Sequence, residues 1–354
     1  MVKIKKDSSE YRMWLKHRNE KNLLLRTRKK EHKKAKARRQ NEYNRLLKQT
    51  TSYNVTTKKY EFVAPSSFSL VNNTDKTIRF FSDIIKFISD NRNYGKHIFI
   101  DISRIESLTT DALMYLLAIV NNLNERFRGK YSFSGNAPAN KNVRKKFEES
   151  GFYNFVNYRS KEPITTNTDN LQIIAGSICD PIVARQISDF ASEKLNISFL
   201  QCKFLFEIMI ELMSNSQKHA YNESPLLPHW YCYSEYEKGS IYFTFMDTGV
   251  GIPSTVKKKF IENLDIFNFK EDSKYVISAL DGENRTATNK PYRGKGMPKI
   301  RKFCSQGKIE HMKIITNKAN VSVLKTKYES EDMRTALIGT LYHCKINANF
   351  IEGV

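Results

Sequence analysis

Apolar residues fall into two rhythms along this chain. At Ile78, Phe81, Ile84, Ile85 and Ile88 they recur every three or four positions, which predicts a helix over about 77–89. The compact run His97–Asp101 predicts a short buried strand, and Leu113, Leu116, Leu117 and Val120 return to helical spacing over 109–123. A strand at Tyr131–Ser134 and a helix at Asn140–Glu149 follow, with Gly151 placed as a C-terminal stop. Asp180-Pro181 signals a helix start. Ser198-x-x-Gln201 has the form of a capping box opening a longer helix to about Tyr221. Two β-rich runs, Trp230–Tyr236 and Ile241–Met246, are separated by a short turn through Gly239. A long polar region then leads to a helix near Pro298–Cys304 and three expected strands, Lys308–Thr316, Val321–Tyr328 and Ala336–Ile346. Strands alternating with helices give an α/β fold class.

Polar breaks divide this pattern. Residues 161–170, with Pro163 and several Thr and Asn, read as a linker between a domain over 60–160 and one over 171–354. Charge sets the N-terminus apart: of the net +22, residues 1–50 supply +13, from 18 Lys/Arg against 5 Asp/Glu. They contain neither Gly nor Pro, so a basic helix or a disordered arm is expected. Dense runs such as Lys33–Arg39 suit a sequence-blind electrostatic contact with nucleic acid; the alternative is a solvated arm without a specific partner. No run approaches the roughly 20 apolar residues of a membrane span, and no signal-peptide pattern opens the chain, so a cytoplasmic protein without a membrane partner is expected. The five cysteines show neither Cys-x-x-Cys nor zinc-like spacing and read as buried thiols.

Three stretches carry candidate chemistry. Within the long helix, Glu207, Glu211, Ser214, Asn215 and Lys218 share one face, opposite Leu205, Ile208, Met209, Leu212 and Met213. Glu211 and Asn215, one turn apart, offer oxygen ligands of the kind Mg²⁺ prefers. After the second β-run comes Asp247-Thr248-Gly249-Val250-Gly251-Ile252, a strand-end carboxylate followed by glycines that allow close backbone approach. Arg293-Gly294-Lys295-Gly296-Met297 opens a helix, where free N–H groups attract phosphate. No Walker loop is present.

In order and spacing, Glu-x-x-x-Asn, Asp-x-Gly-x-Gly-Ile, a long polar loop, Gly-x-Gly at a helix start and Gly339-Thr340 resemble the GHKL ATPase superfamily over about residues 175–350. That superfamily includes histidine kinases, anti-sigma-factor kinases, DNA gyrase and mismatch-repair ATPases. The resemblance implies a two-layer α/β sandwich binding ATP and Mg²⁺. It gives Asn215 the role of Mg²⁺ ligand and Glu211 that of catalytic water activator. Asp247 becomes the adenine reader, with Thr340 supporting it. Gly249, Gly251, Ile252, Arg293, Gly294, Lys295, Gly296 and Met297 lie around the nucleotide, and residues 254–292 form a mobile lid.

Phe99–Ser103, a helix at Thr109, Tyr131–Gly135 and Glu149–Phe152 resemble the STAS domains of anti-anti-sigma factors over about 60–160. Where that family has its phosphoacceptor Ser, this chain has Asp111, within Thr109-Thr110-Asp111-Ala112. Asp111 either imitates a phosphorylated state or is an acid favoured by the helix dipole; Thr110 is an alternative acceptor. None of the seven His residues sits in a phosphoacceptor setting. The expected activity is slow ATP hydrolysis driving a regulatory switch, with an unidentified protein partner. The alternatives are an anti-sigma-type serine/threonine kinase and a non-hydrolysing, ATP-dependent adaptor for nucleic acid or protein.

Overall fold

The structure is a computed structural model. It describes residues 59–156, 167–219, 224, 226–262, 270–283 and 296–348, with Ser9 and Lys16 as isolated positions. The expected basic arm, most of the linker, Arg293, Gly294 and Lys295 lie outside the described residues. The molecule is a mixed α/β protein, and Lys58–Val354 form one compact unit.

The N-terminal layer is a three-stranded parallel sheet in the order β1-β3-β5, made by Lys59–Val63, His97–Asp101 and Ser132–Gly135. Helices α1 (Thr74–Ser89), α2 (Thr110–Glu125) and α3 (Lys141–Glu149) connect or follow these strands. Two short strands, β2 (Ser67–Phe68) and β4 (Ser107–Leu108), pair in parallel beside them. Asn140 caps α3 with its side chain, accepting from the amides of Asn142 and Val143. Helix α2 is buried almost all round, from Thr110 to Leu123. A helix of that kind lies between layers: Leu113 to Leu123 share one core with Ile98 and Ile100 of the parallel sheet and with Tyr231, Tyr233 and Met246 of a second sheet.

That second sheet is antiparallel throughout, in the order β6-β7-β8-β10-β9: Asn170–Gly176, Trp230–Glu237, Ser240–Asp247, Tyr328–Asn347 and His311–Val323. Strands β7 and β8 form a hairpin whose two turn residues, Lys238 and Gly239, both have positive φ, matching the strand twist. Alternate residues feed different cores. Tyr231 and Tyr233 face α2, whereas Trp230 and Cys232 face a second core with α4 (Pro181–Leu195), α5 (Phe199–His219) and α8 (Gly296–Ser305). Burial on both faces explains why β7 and β8 read as nearly continuous apolar runs. Helix α4 is capped by Asp180 through the Ile182 amide. The box at α5 forms as expected, the Ser198 amide donating to Gln201 Oε1 at 3.0 Å and the Gln201 amide to Ser198 Oγ at 3.3 Å.

Two expectations need correction. The region 254–292 is not a loop without regular structure: α6 (Ile252–Glu262) and α7 (Asp272–Asp281) occupy most of its described part. Val276 and Leu280 of α7 are core residues, and the amides of Asp272 and Ser273 donate to the Asp332 carboxylate. The described part of 254–292 is therefore mainly two helices, of which α7 is held by packing and by the Asp332 carboxylate. The three C-terminal strands are two: β9 runs unbroken through Thr316–Asn320, and β10 begins at Tyr328. Residues 317–320, between two of the expected strands, form no turn. Instead Asn317 takes φ 48° within the strand, opposite a bulge of β10. Strand β6 begins at Asn170, the expected end of the linker. Among the described residues no helix is long and apolar enough to cross a membrane. All five cysteines are free, with only Cys179 partly exposed.

Candidate functional site

Helix α5 presents the face its spacing predicts. Leu205, Ile208, Met209, Leu212 and Met213 are buried in the helical core, while Glu207, Glu211, Ser214 and Asn215 are half-buried. The polar face meets the start of α8. Lys299 pairs with Glu207 at 3.0 Å. Gly296 lies so close to α5 that a Cβ there would sit 2.5 Å from Glu211 Oε2 and 3.5 Å from Asn215 Nδ2. The carboxylate, the carboxamide and the first turn of α8 therefore converge, and a helix's first turn directs N–H groups that its own ladder does not use.

The strand register builds the other side. Trp230 lies opposite Asp247, Asp247 opposite Thr340, and Thr340 opposite Thr316. Directly opposed residues share a sheet face, and Trp230, Phe245, Tyr342 and Ile314 place that row on the helix-covered side. Met297, next to Gly296, packs there too: the Tyr342 hydroxyl lies 3.5 Å from its sulfur, two residues from Thr340 on the same face. Gly296, Met297 and Thr340 thus link the α5 residues to Asp247.

Asp247 accepts from the Gly249 amide at 2.8 Å. Burial pushes its carboxyl up to about 6, against the lowering effect of the Gly249 and Thr340 amides. The turn after it is clamped by β9. Thr316 Oγ1 accepts from the Ile252 amide at 3.1 Å and donates to the Gly339 carbonyl at 2.9 Å. Asn317 Nδ2 donates to the Val250 carbonyl at 3.1 Å. Gly251 has φ +88°, and a Cβ on it would strike the Asn317 side chain. At Gly339, with φ +98°, a Cβ would overlap the Asp247 carbonyl, so β10 approaches β8 there as only glycine allows. Sequence reasoning missed Thr316 and Asn317. The available signal was a Thr-Asn pair ending an expected strand, but nothing local showed what faced it.

The structure brings together Glu211, Asn215, Gly296 and Met297, and along the neighbouring row Asp247, Gly249, Gly251, Ile252 and Thr340. Arg293, Gly294 and Lys295 are outside the described residues. Among the described residues no group of three His, Cys, Asp or Glu side chains gathers for a metal ion. A cation held at Asn215 and Glu211 would have two oxygen donors from these side chains, a sparse set of the kind Mg²⁺ tolerates because it keeps waters and substrate phosphates as its other ligands.

In the N-terminal layer Asp111 is fully buried. Its Oδ1 accepts from the Leu70 amide at 3.0 Å, the Ala112 amide at 2.5 Å and the Thr109 hydroxyl at 2.6 Å. The carboxylate ties the loop before α1 to the first turn of α2, which is a structural task. Thr110 is buried as well, so neither residue presents itself to an outside enzyme. Compared with known proteins, the chain matches no protein-family model and no curated protein.

Proposed function

We propose that residues 170–348 bind ATP with Mg²⁺ and hydrolyse it slowly, in a pocket of the GHKL type, to drive a regulatory switch. The observation that carries the reading is the meeting of Glu211 and Asn215 with the α8 N-terminus at Gly296, beside the sheet row that holds Asp247. In this reading the Asp247 carboxylate accepts from the adenine amino group, and the amides of the first α8 turn receive phosphate oxygens. Asn215 would hold Mg²⁺, which would supply positive charge against the phosphate oxygens. Glu211 orients a water and takes its proton as the oxygen attacks the γ-phosphorus. The bond to the β,γ-bridging oxygen breaks, leaving ADP and phosphate.

The switch reading is supported by α2. The Tyr115 hydroxyl donates to the Ile338 carbonyl at 2.9 Å, next to Gly339 and Thr340. A change at the nucleotide thus has a short path into the STAS-like layer. Equilibrium binding and phosphate release on the full chain test the proposal. Asp247→Ala and Asn215→Ala are expected to abolish Mg-ATP binding, and Glu211→Gln to stop phosphate release while binding persists. ATP binding that survives both of the first two substitutions refutes the nucleotide reading.

A further inference from the structure

A cavity of about 420 Å³ lies on the opposite face of the five-stranded sheet, between α1 and the bulged part of β10. Its volume falls within the range of roughly 300–1,000 Å³ typical of small-molecule sites. The body is apolar, formed by Ile78, Phe81 and Ile85 from α1 and by Leu337 and Ile338 from β10. Two cations line it, Lys86 and Arg334, one from each element, and none of its lining residues is acidic. Ser82 and Thr335 add hydroxyls. Among the described residues none of these four polar side chains has a hydrogen-bond or ion-pair partner.

We infer that this cavity binds a small amphipathic carboxylate, its apolar body against Phe81 and Leu337 and its charged end at Lys86 and Arg334. Apolar walls favour a hydrocarbon body, and two unpaired cations on opposite walls favour an anionic end over a neutral one. The same cations disfavour the chain's own basic N-terminal segment as occupant, since residues 1–50 carry +13. The geometry for this exists because β10 carries extra residues. Five residue steps of β10, Asp332 to Leu337, run against two of β9, Ala319 to Asn317, pushing Arg334 and Thr335 out of the ladder towards α1. The inference does not depend on nucleotide binding.

Calorimetric titration of the full chain with decanoate tests it, with decanol and decyltrimethylammonium as controls. Saturable binding of one decanoate is expected, with decanol and the cation each weaker by at least about tenfold. Lys86→Glu with Arg334→Glu, both on exposed side chains, is expected to lower decanoate affinity by about tenfold or more while lowering the melting temperature by only a few degrees, the cost of a negative charge in the last turn of α1. Ser82→Phe, which fills the cavity, is expected to abolish binding. Equal affinity for decanol and decanoate, or decanoate binding unaffected by the double charge reversal, overturns the proposal. So does decanoate binding that appears only after residues 1–50 are deleted, which would make the arm the natural occupant.

Discussion

Asp247→Asn separates the energetic cost of the carboxylate from its use. In the folded protein burial lifts this group from its ordinary value of 3.8 to about 6. A carboxyl whose pKa rises on folding binds its proton more tightly in the native state, so native stability falls as pH rises from about 4 to about 6. Above that the cost is complete. Two pKa units correspond to about 3 kcal/mol. Asn is neutral and nearly isosteric, and its carbonyl oxygen can still accept from the Gly249 amide. Urea denaturation across pH 4 to 8 should therefore show the variant more stable than wild type by up to about 3 kcal/mol at pH 7.5. The difference should shrink to well under about 1 kcal/mol by pH 4 and vanish only below about pH 3, where Asp247 is protonated whether folded or not. The m-value should stay unchanged. In parallel, Mg-ATP affinity should drop about tenfold or more, since the charged acceptor is lost. Such a gain in stability with a loss of binding is the mark of a group retained for a ligand. A variant no more stable than wild type at pH 7.5, or a stability difference that does not change with pH, refutes the reasoning about Asp247.

Further substitutions probe the rest of the site. Gly296→Ala relieves backbone entropy at a helix start without requiring positive φ, so thermal stability should hold or rise by up to about 1 kcal/mol. The new Cβ displaces the Glu211 carboxylate, and phosphate release should fall several-fold. Gly339→Ala forces a side chain into the Asp247 carbonyl at φ +98°, and chemical denaturation should register a loss of at least about 2 kcal/mol. Thr316→Val removes the hydroxyl that serves both the Ile252 amide and the Gly339 carbonyl, leaving buried groups unpaired. The expected cost is about 1–3 kcal/mol, with weakened ATP binding as the turn after Asp247 loosens. For the basic segment, any nucleic-acid affinity should fall steeply with salt and vanish when residues 1–50 are deleted, as a filter-binding titration would show.

Much of the fold is local in origin. Helical spacing located α1, α2 and α5. The Asp180-Pro181 and Ser198-x-x-Gln201 signals set helix starts because capping bonds reach only two or three residues along the chain. The two faces of α5 were readable for the same reason, since i, i+3 and i+4 neighbours are fixed by helix geometry alone. That put Glu211 and Asn215 side by side before any tertiary contact was known. What sequence could not provide was the meeting of elements distant along the chain. The approach of Gly296 to Glu211 and the row Trp230–Asp247–Thr340–Thr316 depend on strand register and helix packing. The fixing of α7 by Asp332 depends on a side chain sixty residues away. Thr316 and Asn317 became visible only when β9 was seen to continue through a polar run, because the bulge of β10 accommodates it. The spacing of Leu113, Leu116, Leu117 and Val120 showed that α2 has an apolar face to bury. Only the tertiary structure decided that it is buried on nearly every side between two sheets, where one helix completes the core they share.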